Sequence, residues 1–196
     1  MSDTSAEISQ SIDSAISGVI EFRNSCVGEI QALASSIIET FSNGNKLLIC
    51  GNGGSAADAQ HFAAELISSF GRGMERKSLP ALALTVDSSV ITAISNDFGF
   101  DLIFARQVEG IGEIGDMLIA ISTSGESKNC LRAVETSKKL GLNTCALTKK
   151  GSTLSKSVAI SVAVPSTNTQ HIQTCHLIAY HTISEIVDNY FYRIQK

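Results

Sequence analysis

Four histidines occur in this 196-residue chain, and three of them, His171, His176 and His181, fall within eleven residues. The fourth, His61, stands four residues before Glu65, a spacing that puts both side chains on one face of a helix. Imidazole and carboxylate both suit zinc, so His61 with Glu65 reads as half of a metal site or as a surface pair on a helix. The group Gln173, His176 and His181 carries the same two readings. Gln173 and His181 are eight residues apart, roughly 12 Å along a helix at about 1.5 Å per residue. They reach one small site only if the helix start is irregular or if subunits complete one another's sites.

Two loops add a second kind of chemistry. The first, Cys50-Gly51-Asn52-Gly53-Gly54-Ser55, follows an apolar run at 46–50 and precedes an Ala- and Leu-rich stretch at 55–70 without Gly or Pro. That order predicts strand, loop and helix. Ser55 and Asp58 have the spacing of a capping box, which makes Ser55 the expected cap. Glycines at such a turn let backbone N–H groups approach a ligand, and a helix start favours anions or sugar hydroxyls. An ordinary βα turn is the alternative. The second loop, Ser122-Thr123-Ser124-Gly125-Glu126-Ser127, follows another apolar run and offers four hydroxyls beside a helix start, a donor set suited to a phosphate monoester. A solvated turn is the alternative here. The first loop is no dinucleotide fingerprint, because its last glycine is missing, and the second is no Walker loop, because it lacks Gly-Lys-Ser/Thr.

The elements that must position these residues follow from periodicity. Strands are expected at 46–50, 80–86, 116–121, 143–148 and 158–164, with helices near 90–95, 102–108, 129–140 and 170–194 between and after them. Strands alternating with helices predict an α/β fold, a three-layer αβα sandwich around a five-stranded parallel sheet. Ligands of such sheets bind at the carboxyl ends of the strands near the switch in strand order, which places both loops at one mouth. Residues 1–43 read as a helical hairpin, with one stripe of Ile8, Ile12, Ile16, Val19 and Ile20 and another of Val27, Ile30, Leu33, Ile37 and Phe41. Its stripes need a cover, either their own domain or another subunit, and oligomerisation is the expected choice. The organisation is a helical extension at 1–43 and a sheet domain at 44–196, forming one structural unit.

Hydrophobic residues make up 43% of the chain and charged ones 17%, which excludes a disordered protein. A net charge of −4 offers no basic footprint for nucleic acid or anionic membrane. No signal peptide or spanning segment is visible, so the expected location is the cytoplasm. Five scattered cysteines without C-x-x-C spacing argue against a disulfide framework.

Four motifs then carry a resemblance along the whole chain: C-G-N-G-G-S-A-A-D-A-Q-H-F-A-A-E-L at 50–66, N-D-F-G-F at 96–100, I-S-T-S-G-E-S at 121–127 and I-Q-T-C-H-L-I-A-Y-H at 172–181. The sequence resembles the phosphoheptose isomerases, single SIS (sugar isomerase) domains with an N-terminal helical extension. The resemblance implies interconversion of sedoheptulose 7-phosphate and D-glycero-D-manno-heptose 7-phosphate through an enediol, for the heptose of lipopolysaccharide. It implies substrate contacts from Asn52, Gly53, Gly54, Ser55, Glu65, Asn96, Asp97, Ser122, Thr123, Ser124, Ser127 and Gln173. It further implies one zinc ion per subunit held by His61, Glu65, Gln173 and His181, with Glu65 and His181 as the acid/base pair, and a homotetramer with sites at subunit interfaces. The sequence departs from the family at His171 and Thr174, which replace an Arg and a Glu. It departs again at Ser68-Ser69, where a Gly-Arg is expected and Gly71-Arg72 looks displaced by a two-residue insertion. Two rivals are a non-enzymatic SIS tetramer that binds the bacterial replication initiator, and a sugar-phosphate sensor. The initiator-binding relative lacks counterparts of Glu65 and His181.

Overall fold

The computed structural model describes residues 4–71 and 76–194, so Arg72 of the expected insertion lies outside the described residues. Five strands, β1 (Leu47–Gly51), β2 (Ala81–Ala83), β3 (Met117–Ser122), β4 (Asn143–Lys149) and β5 (Ile160–Val164), form one parallel sheet in the order β2-β1-β3-β4-β5. The helices are α1 (Thr4–Ser42), α2 (Gly54–Ile67), α3 (Ser88–Phe98), α4 (Ala105–Ile111), α5 (Lys128–Lys139), α6 (Thr153–Lys156) and α7 (Thr169–Ile194). Side chains alternate across a strand, and the sheet uses both faces. Leu47, Ile49, Met117 and Ile119 join a core with α1, α2 and α7, while Leu48, Cys50, Leu118 and Ala120 join a second core with α3, α4 and α5. The expected three-layer sandwich is therefore present. Among the described residues, no helix is long and apolar enough to cross a membrane.

Three local expectations are corrected. The N-terminal hairpin is a single helix, α1, of 39 residues. The two stripes lie in phase, because Phe22 and Cys26 bridge Val19 to Ile30 by steps of three and four, and the residues between them supply no Pro or turn. Phe22, Cys26, Ile30, Leu33, Ile37 and Phe41 are buried in the main core, whereas Val27, expected in the same stripe, is exposed, and Ile8, Ile12, Ile16 and Ile20 are about half exposed, at 56%, 56%, 52% and 47%. The second correction concerns α2. Ser55 lies inside the helix and Gly53, at φ 55°, is the cap; only a glycine takes that backbone angle without strain. Asp58 turns away from the helix start, toward Gln173 and Tyr180. Third, β2 is shorter than expected, since this edge strand pairs with β1 alone.

Candidate active site

The strand order switches between β1 and β3, whose carboxyl ends release the two polar loops side by side. Asn52 of the first loop and Asn129 at the start of α5 exchange two side-chain hydrogen bonds of 2.8 Å each, which tie the loops together. In the second loop the Ser122 hydroxyl lies 3.0 Å from that of Ser127 and 3.4 Å from that of Ser124, and it accepts from the Gly125 N–H at 3.1 Å. Ser122 is buried, Thr123 and Ser127 are half-buried, and Ser124 is exposed. The loop thus presents a graded set of hydroxyls at the start of α5. Beside it, Gly51, Asn52, Gly53, Thr85 and Phe104 help line a cavity of about 150 Å³.

The second part of the site lies on the adjoining face of the sheet, where α2 meets α7. His61 and Glu65 sit one turn apart on α2, with His61 Nε2 2.9 Å from Glu65 Oε1. His181 arrives from α7 and sets its ring edge-on to His61, with centroids 5.0 Å apart. One ligand atom from each of His61, Glu65 and His181 lies within 4.8 Å of the others. His181 Nε2 is buried and has no hydrogen-bond partner among the described residues. Burial and the neighbouring His61 hold the His181 ring below the usual imidazole range, against the opposing pull of Glu65. It is therefore neutral near pH 7, with one nitrogen bare and able to bind a proton or a cation.

Gln173 takes a different place from these three. Its Nε2 donates to Asp58 Oδ2 at 3.3 Å, and its amide lies so close to Gly54 that a Cβ there would overlap it. Gly54 therefore connects the first loop to α7. Ser55 is buried under that loop in the first turn of α2. Asn96 and Asp97 stand exposed at the end of α3, where Asn96 Nδ2 donates to Asp97 Oδ1 at 2.7 Å; no hydrogen bond among the described residues joins them to either loop. His176 lies fully buried in the interior. His171 packs against Gly18 of α1, and Thr174 Oγ1 donates to the Gln170 carbonyl at 3.0 Å.

Sequence reasoning missed four residues around the cluster. Tyr180 Oη lies 3.0 Å from His61 Nδ1 and 3.5 Å from Asp58 Oδ1. Phe70 covers His181 with ring centroids 5.4 Å apart. Asp188, 1% exposed, accepts from the Phe70 N–H, from Ser69 Oγ at 3.0 Å and from Arg76 Nε at 2.7 Å. Arg76 in turn donates to the Glu65 carbonyl at 3.1 Å. The one local signal was the place of Asp58, three residues before His61 on the same face of α2. The contacts of Tyr180 with His61, Phe70 with His181 and Asp188 with Arg76 each join residues more than a hundred positions apart.

The chain is similar to known proteins over most of its length. The pattern of the SIS domain family matches residues 11–149. The phosphoheptose isomerase of a Nitratiruptor species is 52% identical over 155 residues, covering 79% of this chain and 82% of that protein. That of Campylobacter concisus is 46% identical over 166 residues, covering 84% and 87%. Among solved structures, a phosphoheptose isomerase from Francisella tularensis superposes with a TM-score of 0.91 at 38% identity, covering 95% of this chain and 98% of that one.

Proposed function

The chain belongs to the phosphoheptose isomerases of the SIS domain family and is a phosphosugar isomerase, and from that premise we propose that it converts sedoheptulose 7-phosphate to D-glycero-D-manno-heptose 7-phosphate. The observation that carries the reading is the cluster of Glu65 with His61 and His181, beside two hydroxyl- and amide-rich loops. The hydroxyls of Ser122, Thr123, Ser124 and Ser127 hold the phosphate at the start of α5. Asn52, Gly53, Gly54, Ser55, Asn96, Asp97 and Gln173 are the further substrate contacts. Glu65 takes the proton from the carbon beside the carbonyl, and the C–H electron pair becomes the double bond of the enediol. His181 gives a proton to the carbonyl oxygen as its π pair moves there. Return of the proton to the neighbouring carbon from Glu65, with loss of the other hydroxyl proton to His181, completes the exchange. Acid/base groups of this kind each contribute typically ~10²–10⁴-fold.

The residues fit a divalent ion such as zinc. Two imidazoles and a carboxylate are common zinc ligands; His181 has a buried nitrogen without a partner among the described residues and offers a ligand atom within 4.8 Å of the other two groups. His61, Glu65 and His181 would hold it, and Gln173, eight residues before His181 on the continuous helix α7 and bonded through Nε2 to Asp58, would join them with its amide oxygen where subunits complete one another's sites. When bound, the ion supplies polarisation of the carbonyl and stabilisation of the enediolate. The protein acts in the cytoplasm, making heptose for lipopolysaccharide, as a homotetramer whose subunits complete one another's sites. Two features support the assembly. The first five turns of α1 expose an isoleucine stripe, and the cavity of about 150 Å³ at the mouth falls below the roughly 300–1,000 Å³ of a self-sufficient ligand cleft.

The deciding experiment follows sedoheptulose 7-phosphate by NMR with zinc present and again after chelation. Formation of the aldose, lost with the chelator and restored by metal, is expected. A rate equal to background with zinc present would overturn the proposal and return the initiator-binding and sensor readings, neither of which needs Glu65 and His181.

A further inference from the structure

Behind the His61 ring stands a chain of two groups that the reaction above leaves without a role. Tyr180 Oη is 3.0 Å from His61 Nδ1 on one side and 3.5 Å from Asp58 Oδ1 on the other. The second Asp58 oxygen accepts from Gln173. Tyr180 is 1% exposed and Asp58 is 7% exposed. The tyrosine ring stacks on Phe62 at 5.4 Å and stands edge-on to His61 and His181 at 5.4 and 5.0 Å. Three neighbouring rings thus fix where the phenol oxygen lies, and only its hydrogen is left to turn.

A hydroxyl has one hydrogen to give and lone pairs to receive with, whereas an ionised carboxylate only accepts. His61 Nε2 faces the Glu65 carboxylate at 2.9 Å. With a hydrogen on Nε2 the ring donates to Glu65, Nδ1 is bare, and the Tyr180 hydroxyl donates to it. With a cation on Nε2 the hydrogen must sit on Nδ1. The Tyr180 oxygen then accepts it and turns its own hydrogen toward Asp58. One hydroxyl rotation satisfies both states without moving a heavy atom.

We propose that Asp58 and Tyr180 form a positioning relay for His61, which orients the ring and receives its Nδ1 hydrogen when Nε2 binds a divalent cation. The relay rests on the metal reading of the site given above. It also gives the buried Asp58 a purpose in place of the helix capping expected of it, since the same carboxylate aligns Gln173 with one oxygen and Tyr180 with the other. Phenylalanine at 180 would fill the same space but leave the Nδ1 hydrogen facing carbon.

Zinc affinity of the metal-free, full-length protein, measured by competition with a chromophoric chelator, tests this directly. Loss of a group that orients a metal-bound histidine typically weakens metal binding by about 10–100-fold, and Tyr180→Phe is expected to fall in that range. Asp58→Asn should weaken binding too. A merely structural tyrosine would lower the thermal midpoint of the metal-free protein and leave the affinity of the folded protein alone. A second readout uses the wild type: nitrogen-15 histidine NMR of the zinc-loaded protein should find the His61 Nδ1 hydrogen held in a hydrogen bond, shifted downfield and slow to exchange with water, and it decides the matter even if Tyr180→Phe does not fold. An affinity within twofold of wild type in Tyr180→Phe, or an Nδ1 hydrogen that exchanges freely with water in the zinc-loaded protein, overturns the relay alone. A wild type that binds no zinc overturns the metal reading and the relay with it.

Discussion

The Glu65 carboxylate, the base of the proposed reaction, has one imidazole nitrogen 2.9 Å away and a second within 4.8 Å. Glu65→Gln keeps the shape and loses the base, so turnover should fall by about 10²–10⁴-fold while sugar-phosphate binding survives; a rate assay beside direct ligand titration separates the two. His176 bears on stability instead. Burial pushes its pKa from 6.5 down to about 4. The folded ring therefore stays neutral between those values while the unfolded chain takes up a proton. Stability is accordingly lost as pH falls from about 6.5 toward 4, by up to about 3 kcal/mol for this group. His176→Leu should flatten that slope, read from denaturant midpoints at pH 7, 6 and 5. A slope equal to that of wild type would show that other groups set the acid limit.

At the scale of elements, α2 and α7 hold the cluster between them, and Asp188 fastens Ser69, Phe70 and Arg76 beside it. The Asp188–Arg76 pair, 2.6 Å between Nη2 and Oδ1, has both side chains buried, at 1% and 0% exposure. Asp188→Ala would leave the guanidinium without its partner, a loss of about 3–5 kcal/mol for a buried pair, and would release Phe70 from His181. Denaturant unfolding should show the first effect and a lowered turnover the second; Asp188→Asn, which keeps part of the hydrogen bonding, should lose less of each. Much of this scale was readable from sequence. The apolar runs bounded by Gly51, Gly125 and Gly141 mark β1, β3 and β4 within a residue or so, because buried parallel strands read as continuous apolar stretches. The break expected between the two N-terminal stripes was not there, and no period could have told one helix from two in phase. His61 and Glu65 announce themselves through local spacing. His181 lies 120 residues from His61, and Tyr180 reads as any core aromatic until the fold puts its hydroxyl beside His61.

At the scale of the whole molecule, the forward part of α1 has no covering among the described residues. Truncation at residue 43 would remove the buried stripe from Phe22 to Phe41 as well and so test folding rather than assembly. Removal of residues 1–20 is the cleaner change: circular dichroism should stay native while light scattering reports a smaller assembly than the full chain. A tetramer that persists without those residues would move the interface elsewhere. The rear part of α1 has a different dependence, on time. Its apolar face closes against α7, with the rings of Phe41 and Phe191 6.2 Å apart, so the first helix made is covered by the last. At synthesis rates of about 5–20 residues per second, the 150 residues between those rings take on the order of 10 s to appear. For that interval the ribosome carries an oily helix with no mate, and the nascent chain's need for a chaperone begins at its first element and ends at its last.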